Sequence, residues 1–178
     1  MSQISEYISK EEISNINNEL ASKIDNYCSE SKIENLMVVG ILNGAFIFCA
    51  DLVRAMKTSL EVDFFAASSY GEETESSGKL DIRLDIKKDL KGRDILIVED
   101  IIDTGLTLKN IKADFLSRGA KSVHICTLLH KPSRQIYPVD IDFIGRVIED
   151  HFVVGYGLDF AEKYRELPFI GVVNNEDS

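Results

Sequence analysis

Two adjacent carboxylates precede a short segment of small and hydroxyl-bearing residues near the middle of the chain. Glu99 and Asp100 are followed by residues 103–107, a segment with two threonines and a glycine. Ionised carboxylates only accept hydrogen bonds, so a vicinal pair suits a diol such as the two hydroxyls of a ribose. Threonine hydroxyls donate hydrogen bonds, and glycine lets the backbone approach a ligand closely. The pattern therefore predicts a site that binds a ribose by its hydroxyls and its phosphate by the loop.

A strand and a helix are predicted on either side of this loop. The apolar residues 95–98 predict a strand buried on both faces, and the helix after the loop should end at Gly119. A helix start has unpaired backbone N–H groups and the positive end of the helix dipole, which both favour a bound phosphate. The predicted inner face of the helix has four apolar residues: Leu108, Ile111, Phe115 and Leu116.

The acidic pair has two other interpretations. It could be an ordinary acidic turn in solvent after a parallel strand, or Asp100 could be a phospho-acceptor, as in receiver domains. Phosphorylation of an aspartate in a receiver domain does not need the hydroxyl-rich loop at residues 103–107, so the presence of this loop disfavours the receiver interpretation. The solvated turn remains open from these residues alone.

Length, charge and cysteine usage limit the classes of protein that remain. A chain of 178 residues predicts one domain, and its net charge of -10 argues against broad binding of nucleic acid. The three cysteines are far apart, which predicts a reduced, cytoplasmic setting without a disulfide or metal framework. The charged N-terminus predicts no signal peptide, and the most apolar stretch, residues 36–50, is too short to span a membrane.

Two further segments could approach a ligand at the same place. Residues 36–42 predict a buried strand that Asn43 and Gly44 interrupt before a helix over residues 45–56. This second strand–loop–helix unit is either another anion loop or an ordinary turn. A strand over 61–67 and an alternating strand over 80–87 should form a hairpin, and a plain surface hairpin is its default interpretation.

The remaining segments complete an α/β pattern. The capping-box spacing of Ser9 and Glu12 predicts an amphipathic helix that runs to about Cys28. Strands are predicted over residues 121–129 and 141–145, and residues 168–173 should close the sheet. We therefore expect a mostly parallel twisted sheet with helices on both faces and ligands at the carboxyl ends of its strands.

The sequence VEDIIDTGLT at residues 98–107 resembles the motif that binds 5-phosphoribosyl diphosphate (PRPP) in type I phosphoribosyltransferases. Within that family it is most similar to the hypoxanthine-guanine enzymes, and the resemblance extends from about residue 38 to residue 173. It implies one domain over residues 1–178, with a flexible lid at about 68–87 and a small hood from the N-terminal helix region and the C-terminal segment.

The resemblance also implies roles for individual residues, each of which has a plainer interpretation when taken alone. Lys131 is more typical of a solvated residue after a strand, and Phe152 of a core residue. Many members of the family have lysine where this chain has Asn43, so the departure removes a charge from the diphosphate loop. The implied residues are, for PRPP, Glu99, Asp100, Asp103, Thr104, Gly105, Leu106 and Thr107; for the purine, Lys131, Phe152, Val153 and Asp159; for diphosphate, Leu42, Asn43, Gly44 and Arg165; for the lid, Ser69 and Tyr70.

The implied activity is transfer of the phosphoribosyl group from PRPP to N9 of hypoxanthine or guanine. The resemblance implies Asp103 as general base, Mg²⁺ near Glu99, Asp100 and Asp159, and a homodimer or homotetramer. The expected partners are small-molecule substrates, without nucleic acid or membrane. Two rivals remain: an enzyme of the same fold that prefers xanthine, and a regulator that keeps the PRPP site but binds nucleic acid.

Overall fold

The computed structural model describes residues 3–69 and 80–174 of the chain. Strands and helices alternate through most of this length, as the sequence predicted. Their bounds are β1 Gln3–Ile8, α1 Lys10–Glu30, β2 Leu36–Ile41, α2 Phe46–Ala55, β3 Leu60–Ser69, β4 Leu80–Leu84, β5 Asp94–Ile102, α3 Leu106–Ser117, β6 Ser122–His130, β7 Phe143–Val147, β8 Val153–Val154 and β9 Ile170–Asn174.

The main sheet has the strand order β4-β3-β2-β5-β6-β7 among the described residues. The pairs from β3 to β7 are parallel, whereas β4 is antiparallel to β3. The predicted α/β fold with a mostly parallel sheet is therefore confirmed. Because parallel strands end at one edge, the loops after β2, β5 and β6 meet there.

The central strands have apolar residues on both faces, and each face packs against its own helices. Val38 of β2 belongs to a core cluster with residues of α1 and α2, among them Phe48. Its neighbour Val39 belongs to a second cluster with Phe115 of α3. Because side chains alternate along a strand, one unbroken apolar run supplies both cores.

The helices follow the sequence signals except at one position. Ser9 and Glu12 form the predicted capping box at the start of α1. Leu108, Ile111 and Phe115 of α3 are buried, but Leu116 is 46% exposed, so its predicted place on the inner face is wrong. One residue turns a helix by about 100°, which takes Leu116 out of the stripe that Phe115 occupies.

A second, smaller sheet has the order β1-β9-β8 within the described residues. β9 pairs with β1 and β8, so the prediction that residues 168–173 close the main sheet is wrong. β1 was not predicted from the sequence, although it ends directly before the helix signal at Ser9. Its partner is more than 160 residues away, as in the pair between Gln3 and Asn174, and such a long-range pairing has no local signal.

Candidate active site

A cavity of about 310 Å³ opens at the carboxyl edge of the main sheet. It brings together residues from the end of β2, the end of β5 and the start of α3. Its lining contains most of the predicted ribose-phosphate residues: Glu99, Asp100, Asp103, Thr104, Gly105 and Thr107, with Leu42 and Gly44 from the second loop. A larger cavity of about 620 Å³ lies between α1, α2 and residues 166–168, and none of these motif residues line it.

Glu99 and Asp100 lie inside β5, which continues to Ile102 instead of ending with the apolar run. Asp100 is only 9% exposed, and the backbone N–H of Ile101 donates to its Oδ1 at 2.7 Å. Burial and the Asp100 carboxylate raise the pKa of Glu99 well above its usual value. Burial also raises the pKa of Asp100, while the Arg165 charge acts in the opposite direction. A cation or several hydroxyl donors would stabilise this pair in its charged form.

The loop between β5 and α3 has the backbone geometry of an anion site. Gly105 is the N-cap of α3 with φ of 84°, and no side chain caps the helix there. A Cβ at Gly105 would lie 2.6 Å from the carbonyl oxygen of Tyr137, so only glycine fits. The N–H groups of Ile136 and Tyr137 both donate to the carbonyl of Thr104, at 3.1 and 2.9 Å. The segment after β6 therefore supports the loop from behind.

The loop after β2 lies against the acidic pair. The Leu42–Asn43 peptide bond is cis, and the Leu42 N–H donates to the Phe65 carbonyl at 2.9 Å. A Cβ at Gly44 would overlap the carboxylate of Asp100, so the backbone can lie this close to the acid only because residue 44 has no side chain. Asn43 is exposed and is not among the residues that line the smaller cavity.

Residues that follow β6 and β7 form a charged group beside the loop. Lys131 is 8% exposed, and its Nζ lies 3.5 Å from Asp150 Oδ1. Arg134 Nε lies 3.1 Å from Asp103 Oδ1. Neither Arg134 nor Asp150 was predicted from the sequence to have a role in the site. The signal available for Arg134 was its position three residues after Lys131, in the turn that follows a strand.

Phe152 and Val153 lie at the second sheet, outside the smaller cavity. Phe152 is 53% exposed and packs edge-on against Phe160, with 5.4 Å between ring centroids. An exposed aromatic face is available for stacking, and the plainer interpretation of Phe152 as a core residue is wrong. Val153 is buried in β8 opposite Val172.

Asp159 and Arg165, predicted for different roles, form an ion pair with 2.9 Å between Arg165 Nη2 and Asp159 Oδ1. Arg165 Nη1 also donates to the carbonyl of Gly157 at 2.7 Å. The backbone of Gly157 in turn lies against the carbonyl oxygen of Gly44. The turn that carries Asp159 and Arg165 is therefore in contact with the loop after β2.

The predicted lid is only partly described. The backbone of Ser69 pairs with Leu80, which gives the antiparallel arrangement expected for residues 80–87, although β4 ends at Leu84. Ile82 and Leu84 are 39% and 40% exposed, whereas Leu80 is partly buried against the second core cluster. Tyr70 lies outside the described residues.

The acidic residues supply oxygen donors but no preformed metal cage. Within residues 3–69 and 80–174, no group of three or more histidine, cysteine or acidic side chains could hold a metal ion. Mg²⁺ commonly takes one or two carboxylates together with substrate phosphates and water, which the half-buried Glu99 and the buried Asp100 would fit. Among the same residues, no helix is long and apolar enough to cross a membrane.

Comparison with known proteins gives consistent matches over most of the chain. The family described as "Phosphoribosyl transferase domain" matches residues 3–161. The hypoxanthine-guanine phosphoribosyltransferase of Bacillus subtilis is 48% identical over 93% of this chain and 91% of its own. The hypoxanthine phosphoribosyltransferase of Escherichia coli is 50% identical over 78% of each chain. A crystal structure of a hypoxanthine-guanine phosphoribosyltransferase from Bacillus anthracis has a TM-score of 0.89 and 41% identity, and covers 98% of this chain and 100% of that one.

Proposed function

This chain belongs to the phosphoribosyltransferase family, and from that premise we propose that it transfers the 5-phosphoribosyl group of PRPP to N9 of hypoxanthine or guanine. The products are the purine nucleotide and diphosphate, a purine-salvage reaction. The relatives named above as hypoxanthine or hypoxanthine-guanine phosphoribosyltransferases support the choice of base.

The observation that carries the proposal is the composition of the smaller cavity. The carboxylates of Glu99 and Asp100, the loop at the start of α3 and the backbone of Gly44 line the same 310 Å³ space. These groups match three parts of PRPP: the ribose hydroxyls, the 5′-phosphate and the diphosphate. Carboxylates accept from hydroxyls, whereas a helix start and a glycine backbone suit phosphate oxygens.

In the proposed reaction the bond between C1′ and the diphosphate oxygen breaks as N9 of the purine bonds to C1′. Positive charge develops on the ribose ring, and nearby carboxylates stabilise it. Asp103 is the proposed general base, which hydrogen-bonds the purine at N7 and accepts a proton as the new bond forms. The Leu42–Gly44 loop and Arg165 stabilise the negative charge of the departing diphosphate, and a lid that carries Ser69 and Tyr70 excludes water.

The purine end of the site favours bases with an oxygen at position 6. The Lys131 ammonium is a donor without acceptor capacity, so it suits a 6-oxo group and disfavours the 6-amino group of adenine. Phe152 stacks on the base through its exposed ring, and the Val153 backbone and Asp159 contact the far edge. The order of preference among hypoxanthine, guanine and xanthine depends on these contacts.

Mg²⁺ is the proposed cofactor, held with substrate oxygens by Glu99 and Asp100 and approached by Asp159. When bound, the ion neutralises charge on the diphosphate. The acidic pair supports this assignment, because burial raises the pKa of both carboxyl groups and a bound cation would stabilise the charged carboxylates that burial disfavours. We further propose a cytoplasmic homodimer or homotetramer with small-molecule substrates and no nucleic-acid partner, in keeping with the net charge of -10.

The test is a spectrophotometric assay with PRPP and Mg²⁺ against hypoxanthine, guanine, xanthine and adenine. Turnover of hypoxanthine or guanine that EDTA abolishes is the expected result. Turnover of xanthine alone would keep the reaction but change the base. Measurable binding of PRPP without turnover of any base, together with a gel shift of bulk RNA or DNA, would contradict the proposal and favour a regulator.

A further inference from the structure

Four side chains of alternating charge form a series of ion pairs, with the proposed general base at one end and the lysine proposed to bind the purine at the other. Asp103 pairs with Arg134 at 3.1 Å, Arg134 approaches Asp150 Oδ2 at 3.9 Å, and Asp150 pairs with Lys131 at 3.5 Å. Asp103 and Lys131 have roles in the proposed reaction, on which this inference rests. We propose that Arg134 is a positioning residue that orients Asp103 toward N7, while Asp150 holds Lys131 toward the 6-oxo group.

The backbone fixes Arg134 relative to the loop that carries Asp103. Arg134 ends the short 3-10 turn Pro132–Arg134, and its N–H donates to the Lys131 carbonyl at 3.1 Å. The Lys131 N–H donates to the carbonyl of Ile102 at 3.0 Å, directly before Asp103. On the other side of the turn, the Tyr137 N–H donates to the carbonyl of Thr104 at 2.9 Å. The segment that carries Arg134 is therefore hydrogen-bonded to the residues on both sides of Asp103.

The geometry of the Asp103–Arg134 pair is better suited to orienting the Asp103 carboxylate than to stabilising the fold. Their side chains are 45% and 51% exposed, and ion pairs this exposed contribute little to folding. Arg134 donates through Nε to Oδ1 of Asp103. A bond to one carboxylate oxygen limits rotation of the group and leaves the second oxygen available to a bound base. The exposure also means that a substitution at Arg134 should leave the fold intact.

Lys131 needs a partner for a different reason. Its side chain is only 10% exposed, and a desolvated ammonium is stable only beside a negative charge. Asp150 supplies that charge from the segment after β7. Arg134 lies between Asp150 and Asp103, so the ion pairs link Asp103 to Lys131. They therefore set the distance between the group proposed to bind N7 and the group proposed to bind the 6-oxo oxygen on the same edge of the purine.

The experiment is a double-mutant cycle on the full-length enzyme with hypoxanthine and PRPP. Arg134→Gln should lower kcat about tenfold, since small misplacement of a catalytic group costs one to two orders of magnitude, and should leave the KM for PRPP unchanged. Arg134→Lys should restore part of kcat because it keeps the charge. In an Asp103→Asn background, Arg134→Gln should cause no further loss. Asp150→Asn should raise the KM for hypoxanthine more than it lowers kcat.

Arg146→Gln is the matched control, because Arg146 is 41% exposed and also makes a 3.1 Å ion pair, with Glu12 at the start of α1. It should change neither kcat nor KM. An unchanged kcat in Arg134→Gln, or a full additional loss in the Asp103→Asn background, would overturn the positioning role alone. Full activity of Asp103→Asn by itself would instead overturn the proposed base, and this inference with it, so the two failures are distinguishable.

Discussion

Gly157 packs its backbone directly against the carbonyl oxygen of Gly44. Gly157 has φ of 102°, and a Cβ at this position would overlap that oxygen. The contact joins two loops more than a hundred residues apart, one after β2 and one after β8. The carbonyl of Gly157 also accepts from Arg165 at 2.7 Å. One glycine therefore holds the proposed diphosphate loop against the turn that carries the proposed diphosphate-binding arginine.

Gly157→Ala should damage both stability and diphosphate binding. Overlap with backbone and a left-handed φ each cost about 1–3 kcal/mol, so the free energy of unfolding should fall by at least ~2 kcal/mol in urea titrations. The inhibition constant for diphosphate should rise. Gly92→Ala is the control, because Gly92 has φ of 72° with no atom within 4 Å of an added Cβ. An equal loss in both variants would mean that the contact with Gly44 contributes nothing.

Asp103→Asn should cut turnover well over tenfold and leave nucleotide binding largely intact. Asparagine keeps the shape of the side chain and can still hydrogen-bond, but it cannot accept the proton at neutral pH, and general-base catalysis typically contributes 10²–10⁴-fold. Steady-state kcat and equilibrium titration with the product nucleotide separate the two effects. Unchanged turnover would contradict the role of Asp103, whereas a parallel loss of nucleotide affinity would assign it to binding.

The sequence predicted the elements whose signals are local and missed those that depend on distant partners. The apolar run before Glu99 and the glycine at residue 105 specify the strand β5 and the glycine N-cap of α3 within a few residues of each other. β1 and its pairing with β9 have no such signal. The ion pairs of Arg134 and Asp150 also escaped prediction, because charged residues after a strand are usually solvated and only the fold brings these side chains together.

Glu61 should make the protein more sensitive to acid. Hydrogen bonds from Lys88, Asn35 and Arg93 lower the pKa of Glu61 from 4.5 to about 2. Because the folded-state pKa is depressed, its contribution to stability is present above pH 4.5 and is lost as the pH falls toward 2. Thermal unfolding between pH 5 and pH 2.5 should therefore show a smaller loss of stability in Glu61→Gln than in the unaltered protein. Glu34→Gln, at an exposed position before β2, is the control, and identical pH profiles for all three proteins would contradict the prediction.

Asn43→Lys should tighten binding of diphosphate. Asn43 is exposed beside Gly44, in the loop where many members of the family carry lysine, so a lysine can reach the ligand without displacing core residues. An exposed charge pair contributes about 0.2–1 kcal/mol, which predicts a product-inhibition constant about 1.4- to fivefold lower at low ionic strength. The gain should shrink in high salt, since screening weakens exposed charges. Asn43→Gln lengthens the side chain without adding charge, and an equal effect from that variant would show that the charge is not the cause.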